Sequence, residues 1–184
     1  MLLGCGRRGY RKVTVAEVLD LYGGYRSQFY SHFASKADCY AAAYGNKIER
    51  LCAALLGAAK PQPSWPDGLR AALGELARFA VEQPDSARGL LVEVHVAAGP
   101  ALVKPKEVFE RLTRAIDGAR RVKASRHSPP PITAEFMIGA IETAVCEALM
   151  KDDPRSFKAA VPELAHLVVA AYFGEEELAP RAEP

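Results

Sequence analysis

The 184-residue chain has no apolar run near the roughly 20 residues that a membrane-spanning helix requires, so no such helix is expected. Its opening Met1-Leu2-Leu3-Gly4-Cys5-Gly6 is too short for a secretory signal, and the basic residues follow it instead of preceding it. Paired cysteine spacing is missing: Cys5, Cys39, Cys52 and Cys146 lie far apart, which argues against a disulfide framework and for free thiols in a reducing cytoplasm. GxSxG, P-loop and HExxH motifs are absent, as is any Cys/His set at metal spacing. His32, His95, His127 and His166 are scattered, and Cys39 and Cys52 are separated by nearly four helical turns. The expectation is a non-enzyme that needs no cofactor or metal. Internal repeats are lacking, and strand patterning is almost absent.

What is present is a globular composition, 49% apolar and 25% charged, with an uneven distribution of charge. Residues 1–50 hold eight Lys or Arg against four Asp or Glu, whereas the remaining 134 hold sixteen against eighteen. A basic end on a slightly acidic body suits contact with nucleic acid or an anionic surface, although chance asymmetry on a solvated surface gives the same count.

Apolar residues recur at helical spacing throughout. Thr14 with Glu17 forms a capping-box pattern opening a helix that stops at Gly23-Gly24. A short helix over about 25–33 follows, with Phe29 and Phe33 on one face. Ser35 with Asp38 then caps a helix reaching residue 58, with the stripe Tyr40, Tyr44, Ile48, Leu51 and Leu55. Prolines at 61, 63 and 66 break the chain. Helices are predicted over about 67–82, 85–98 and 101–124, a second break over Ser128-Pro129-Pro130-Pro131, and helices over about 133–150 and 161–173, with Pro162 as a first-turn proline. Residues 174–184 read as a frayed tail. The fold class is all-α.

Two short helices joined by a glycine turn form a helix-turn-helix pattern. Arg26, Ser27 and Gln28 supply an exposed polar edge that can face base edges, while Phe29 and Phe33 hold the helix on its scaffold. Tyr30, His32 and Lys36 can donate to phosphates. Each residue also has a plainer reading: Tyr30 and His32 as packing between phenylalanines, and Thr14 as a cap alone.

The segment Thr14-Val15-Ala16-Glu17-Val18, then Gly23, then Phe29-Tyr30-Ser31-His32-Phe33-Ala34-Ser35-Lys36 resembles the helix-turn-helix signature of the tetracycline-repressor (TetR) family. The Leu164–Gly174 segment is similar to the last helix of many members. The resemblance implies a homodimeric, all-helical regulator binding a double-stranded DNA operator and released by a small-molecule effector. It divides the chain into a DNA-binding domain at 1–45 and a ligand-binding and dimerisation domain at 46–184. It places Thr14, Tyr25, Arg26, Ser27, Gln28, Tyr30, His32 and Lys36 at DNA-contact positions, with Tyr30 and Lys36 on phosphates and Arg26 and Gln28 on bases. No membrane partner is implied.

Three departures stand out. Leu2 to Gly6 corresponds only to the last turn of the family's first helix, which would leave Leu19, Phe29 and Phe33 less covered. Gly24 replaces a packed apolar residue, and Tyr25 stands where a serine normally caps, a loss of about 1 kcal/mol. A second reading is therefore a helical ligand-binding or interaction module that has lost DNA binding through a shortened first helix.

In the body, Met137, Ile141, Ala144, Val145 and Ala148, with Leu164, Leu167, Val168, Ala171 and Tyr172, form apolar stripes suited to an isologous four-helix dimer interface. The same stripes suit a monomer core. Trp65, Phe79, His95, Phe109 and Phe136 are candidates for lining a ligand pocket, again with core packing as the alternative. Glu93 and His95 sit among apolar neighbours, and a buried Glu or His there needs a partner, either a ligand or Arg88.

Overall fold

The computed structural model describes residues 1–97, 106–122 and 128–174. Among these it is helical without strands: α1 Leu2–Arg8, α2 Val15–Tyr22, α3 Arg26–His32, α4 Lys36–Ala59, α5 Trp65–Glu82, α6 Pro84–Ala87, α7 Val94–Ala97, α8 Lys106–Asp117, α9 Thr133–Met150 and α10 Pro154–Phe173. A π-helical turn, Arg88–Val92, joins α6 to α7, and a 3-10 turn, Gly118–Arg121, follows α8.

The capping chemistry sets the starts. The Glu17 amide donates to Thr14 Oγ1 at 3.3 Å, and the Thr14 amide donates to the Glu17 carboxylate at 2.8 Å. That second bond is the largest cause holding the Glu17 carboxyl below its ordinary range, and Arg8 adds an ion pair. Gly23 ends α2 at φ 71, a left-handed conformation that glycine adopts without strain. Ser35 caps α4 through the Asp38 amide, as expected. Ser64 does the same for α5 through Asp67, so this helix starts two residues before the expected 67, with Pro66 inside its first turn.

Three expected boundaries are corrected. The last helix begins at Pro154, with Asp153 as its cap, and Pro162 lies inside it instead of opening it. The 85–98 segment is not one helix: Glu93 N bonds Arg88 O at 3.0 Å across the π turn, which interrupts the regular ladder. The helix expected over 101–124 is described only from Lys106, and the tail beyond 174 lies outside the described residues.

α5 packs along α4 and α10, and α9 lies against α8 and α10. Tyr40, Tyr172, Phe157, Leu90 and Leu149 are the largest side chains removed from solvent. The amino-terminal part is bound to this body by α1, which lies on α6 and the π turn. The approach is backbone on backbone. A Cβ built on Gly6 would stand 1.7 Å from Asp85 O, and one on Gly89 would stand 2.0 Å from Leu2 O. Met1, Leu2 and Cys5 are buried there, and burial pushes the Cys5 thiol up to about 11. Less cover was expected for the apolar face of α2 and α3, yet Phe29 is buried and Leu19 and Phe33 are half-buried. Leu21 and Tyr22 do remain exposed.

The Glu93 carboxylate is met by the Tyr10 amide at 2.6 Å, not by Arg88, which instead reaches Leu149 O and Asp152. The Tyr40 hydroxyl donates to Gly89 O at 2.7 Å, a second tie between α4 and the π turn.

Alanine at Gly6 or Gly89 must force these backbones apart, so G6A and G89A are expected to lose about 1–3 kcal/mol in urea unfolding. G57A, in open space on α4, should be neutral or gain up to about 1 kcal/mol from helix propensity.

Candidate functional site

α2 and α3 meet across the Gly23-Gly24 turn, and α3 is seven residues long, about 10 Å at 1.5 Å per residue. That length fits a B-DNA major groove about 12 Å wide. Phe29 is buried, and its ring packs on Phe33 with centroids 5.4 Å apart, fixing α3 to the scaffold. The opposite face is free. Arg26, Ser27, Gln28, Tyr30 and His32 are exposed, and no side-chain hydrogen bond or ion pair occupies Arg26, Ser27 or Gln28 among the described residues. Tyr25 precedes α3 in extended backbone, 78% exposed and making no side-chain cap.

Two of the expected DNA-contact residues are already engaged. The Thr14 hydroxyl lies in the capping box, 3.1 Å from the Glu17 carboxylate. Lys36 Nζ donates to Tyr10 O at 2.9 Å and Val13 O at 3.0 Å, and sits 4.3 Å from the Tyr10 ring centroid. This ammonium clamps the Tyr10–Val13 turn that leads into α2, and retains one of its three donors for anything outside.

Behind this head the body holds a half-open apolar cavity of about 510 Å3, bounded by α4, α5, α8, α9 and the π turn. Its α4 wall runs from Tyr44 to Ala59, about 22 Å at 1.5 Å per residue. Aliphatic side chains such as Ile48, Leu51, Leu55, Leu73 and Leu76 dominate the lining, with Leu90 and Leu91 contributed by the π turn. The polar groups lie at its ends: Tyr44 and Glu142 together, and Lys60, Gln62 and Ser64 about four turns further along. Burial pushes the Tyr44 phenol up to about 12, and the Glu142 carboxylate adds to that.

Of the five pocket candidates, Trp65 and Phe109 line the cavity. Phe79, His95 and Phe136 do not. Phe79 is buried beyond its end, with Lys47 Nζ 4.9 Å from the ring centroid. His95 is exposed, 3.7 Å from the outer side of Glu142, and Phe136 is 72% exposed because it lies on the face of α9 opposite the wall residues Ile138, Ile141 and Val145. The lining that sequence reasoning missed is mostly the α4 stripe, which was visible as a stripe but carries nothing to separate a cavity wall from a core.

The proposed interface stripes are corrected in the same way. Ile141, Val145, Ala148, Val168 and Tyr172 are buried within one chain, and Met137, Ala144, Leu164 and Ala171 are half-buried. The Tyr172 hydroxyl donates to Asp117 at 2.8 Å, and its ring lies against Trp65. Leu167 alone of the ten is exposed, at 54%. The outward faces instead present Phe136, Gly139, Ala140 and Thr143 on α9 and Glu163, His166 and Leu167 on α10.

Among the described residues there is no cluster of three His, Cys, Asp or Glu side chains able to hold a metal, and no helix long and apolar enough to cross a membrane. No family model matches the chain, and no curated protein matches it in sequence. Solved structures do match in fold. The chain is similar to the fatty acid degradation regulator FadR from Bacillus halodurans, with a TM-score of 0.79 and 14% identity over 91% of this chain and 93% of that one. It is also similar to RolR, solved without ligand, with a TM-score of 0.61 and 17% identity over 89% of this chain and 84% of that one.

Removing the Lys36 ammonium strands two carbonyls, so K36M is expected to cost about 1–3 kcal/mol and lower the melting temperature. R26A, which touches nothing, should stay within about 0.5 kcal/mol of the parent. Thermal unfolding of the two variants side by side checks both.

Proposed function

We propose that the chain is a ligand-responsive, DNA-binding transcription regulator of the TetR type. On this reading it is a cytoplasmic, non-enzymatic repressor that a small molecule releases from its operator. One observation carries the reading: α4 begins directly after the exposed recognition helix and then forms the long wall of the cavity. A ligand that shifts α4 therefore moves α3 with it. Naming of one fold neighbour as a regulator supports the reading, as does the helix-turn-helix pattern found in the residues themselves.

In this scheme Arg26 and Gln28 read bases, Tyr25, Ser27, Tyr30 and His32 contact the backbone or flanking bases, and the third donor of Lys36 meets a phosphate. Thr14 acts mainly through α2, whose first turn its capping box orients. The working unit is a homodimer formed through the outward faces of α9 and α10, around Phe136 and Leu167. Its two recognition helices would need a separation near 34 Å to reach successive major grooves. The functional division falls near residue 45, within α4, so the head and the ligand-binding body share that helix without a linker.

Titration of the protein against its own upstream DNA at several salt concentrations tests the proposal. Affinity should fall steeply with salt, as phosphate contacts require. R26A and Q28A should each weaken specific binding by about 5- to 100-fold with unchanged folding. Absence of salt-sensitive binding, with the cavity still taking ligand, would instead leave a helical ligand-binding module without DNA activity.

A further inference from the structure

We infer that Arg11 and Lys12, on the turn between α1 and α2, form a phosphate anchor that grips the DNA backbone beside the groove taken by α3. The inference rests on reading the head as a DNA-binding unit and adds two contacts that the helix-turn-helix pattern does not assign. Residues 1–36 carry six Lys or Arg against two acidic residues, Glu17 and Asp20. Three of the six cations are engaged within the chain: Arg7 on Asp85, Arg8 on Glu17, and Lys36 on the Tyr10 and Val13 carbonyls. Arg11, Lys12 and Arg26 are exposed and have no side-chain partner among the described residues. Arg26 belongs to the recognition helix, so two uncompensated cations remain on the turn.

That turn is firmly held. Gly9 takes φ 82, and its carbonyl accepts the Lys12 and Val13 amides at 3.2 Å each. The Tyr10 amide donates to Glu93 at 2.6 Å, and Lys36 Nζ reaches the carbonyls on either side of Arg11 and Lys12. Val13 is buried, and the Tyr10 ring packs edge-on against Tyr40 with centroids 5.1 Å apart. Cations on a fixed backbone lose less freedom on meeting an anion than cations on a loose one. Lys36 also places them. It opens α4 just after α3 ends at His32, so the turn it clamps lies beside the α3–α4 junction and next to exposed Thr14. A duplex with α3 in its major groove brings the phosphates bordering that groove to this junction, and along one strand they recur about every 3.4 Å of helix axis. The Arg11 fork can take two oxygens of one phosphate, while Lys12 supplies a point charge for its neighbour. An anionic membrane offers similar charge, but Val13 is buried and Tyr10 half-buried, which leaves the turn no exposed apolar side chain to insert.

Fluorescence anisotropy of the full chain with its own upstream duplex and an unrelated duplex of equal length, over a salt series, tests the anchor. Arg11→Ala and Lys12→Ala should each weaken both duplexes by the same factor, roughly 5- to 10-fold per bound chain near about 0.1 M salt. Each should also lower the slope of log affinity on log salt by about one per chain, and Lys12→Arg should keep the parent slope. Arg50→Ala removes the same charge about 21 Å further along α4 from Lys36 and should leave the slope unchanged. All three positions are exposed, so melting temperatures should match the parent. A parent that binds with a slope insensitive to positions 11 and 12 overturns the anchor and leaves the DNA-binding reading standing, whereas a parent that binds neither duplex removes both. The anchor also fails if the ratio between the two duplexes changes, which means base reading, or if Arg50→Ala loses as much, which means net charge alone. Loss confined to phosphatidylglycerol vesicles, with DNA binding intact, assigns the turn to a membrane instead.

Discussion

The structure depends on how closely one short helix approaches the body. α1 is seven residues long, too short to be stable by its own hydrogen bonds, and it persists because Met1, Leu2 and Cys5 are buried against α6 and the π turn. That burial is possible because Gly6 and Gly89 put no side chain between the two backbones. Two glycines placed one on each partner do what a larger apolar surface does elsewhere. They let dispersion contacts form along the main chain, where each pair is weak and the sum is not. Without this docking, α2 and α3 would hang from α4 alone, and a two-helix unit with exposed Leu21 and Tyr22 has little core of its own.

The docked segment is also the segment that faces the cavity. Gly89 touches α1 and accepts the Tyr40 hydroxyl through its carbonyl, while Leu90 and Leu91, the next two residues, line the apolar slot. Glu93 closes the turn and holds the Tyr10 amide, and the Tyr10 carbonyl in turn accepts from Lys36 at the start of α4. Cavity, π turn, α1 and the first turn of α4 thus form a closed ring of contacts. A displacement of Leu90 or Leu91 has two short routes to the base of α3, one through Gly89 and α1, the other through Tyr40 and α4. Packed interiors transmit such shifts because they have no free volume in which to absorb them.

Much of this was legible in the residues, and the exceptions share a cause. Thr14 with Glu17, Ser35 with Asp38 and the Gly23 turn announced α2, α4 and the link to α3, because caps and left-handed glycines are local chemistry written in adjacent residues. The start of α10 was misplaced because Pro154 and Pro162 are both acceptable first-turn prolines. Only tertiary contact shows that the helix runs through the second, with Phe157 buried before it. The π turn left no mark in the sequence, since Arg88–Val92 reads as ordinary apolar helix and its irregularity answers to the backbone of α1. On α9 the apolar stripe was identified but not its destination. Ile141 and Val145 serve the chain's own cavity, and the outward face is carried by Phe136 and the small residues Gly139 and Ala140. Periodicity reports that a face is buried and is silent about what buries it.

The same silence explains why aromatic residues were poor guides to the cavity and an aliphatic helix was the better one. Phe79 and Phe136 were chosen for bulk, but bulk fills space. A cavity survives where side chains on facing helices are long enough to shield it from water and not long enough to meet. Leucine and isoleucine on α4 and α5 do that along four turns, and Gly68 lets α5 close on Ala59 at one end. An apolar slot of this kind costs packing energy that a filled core would have gained, since its lining loses contacts on one side. The chain retains it while spending glycines to bring α1 and the π turn into van der Waals contact a few residues away. Close packing on the outer side of the π turn and open space on its inner side leave that turn with one direction in which to move.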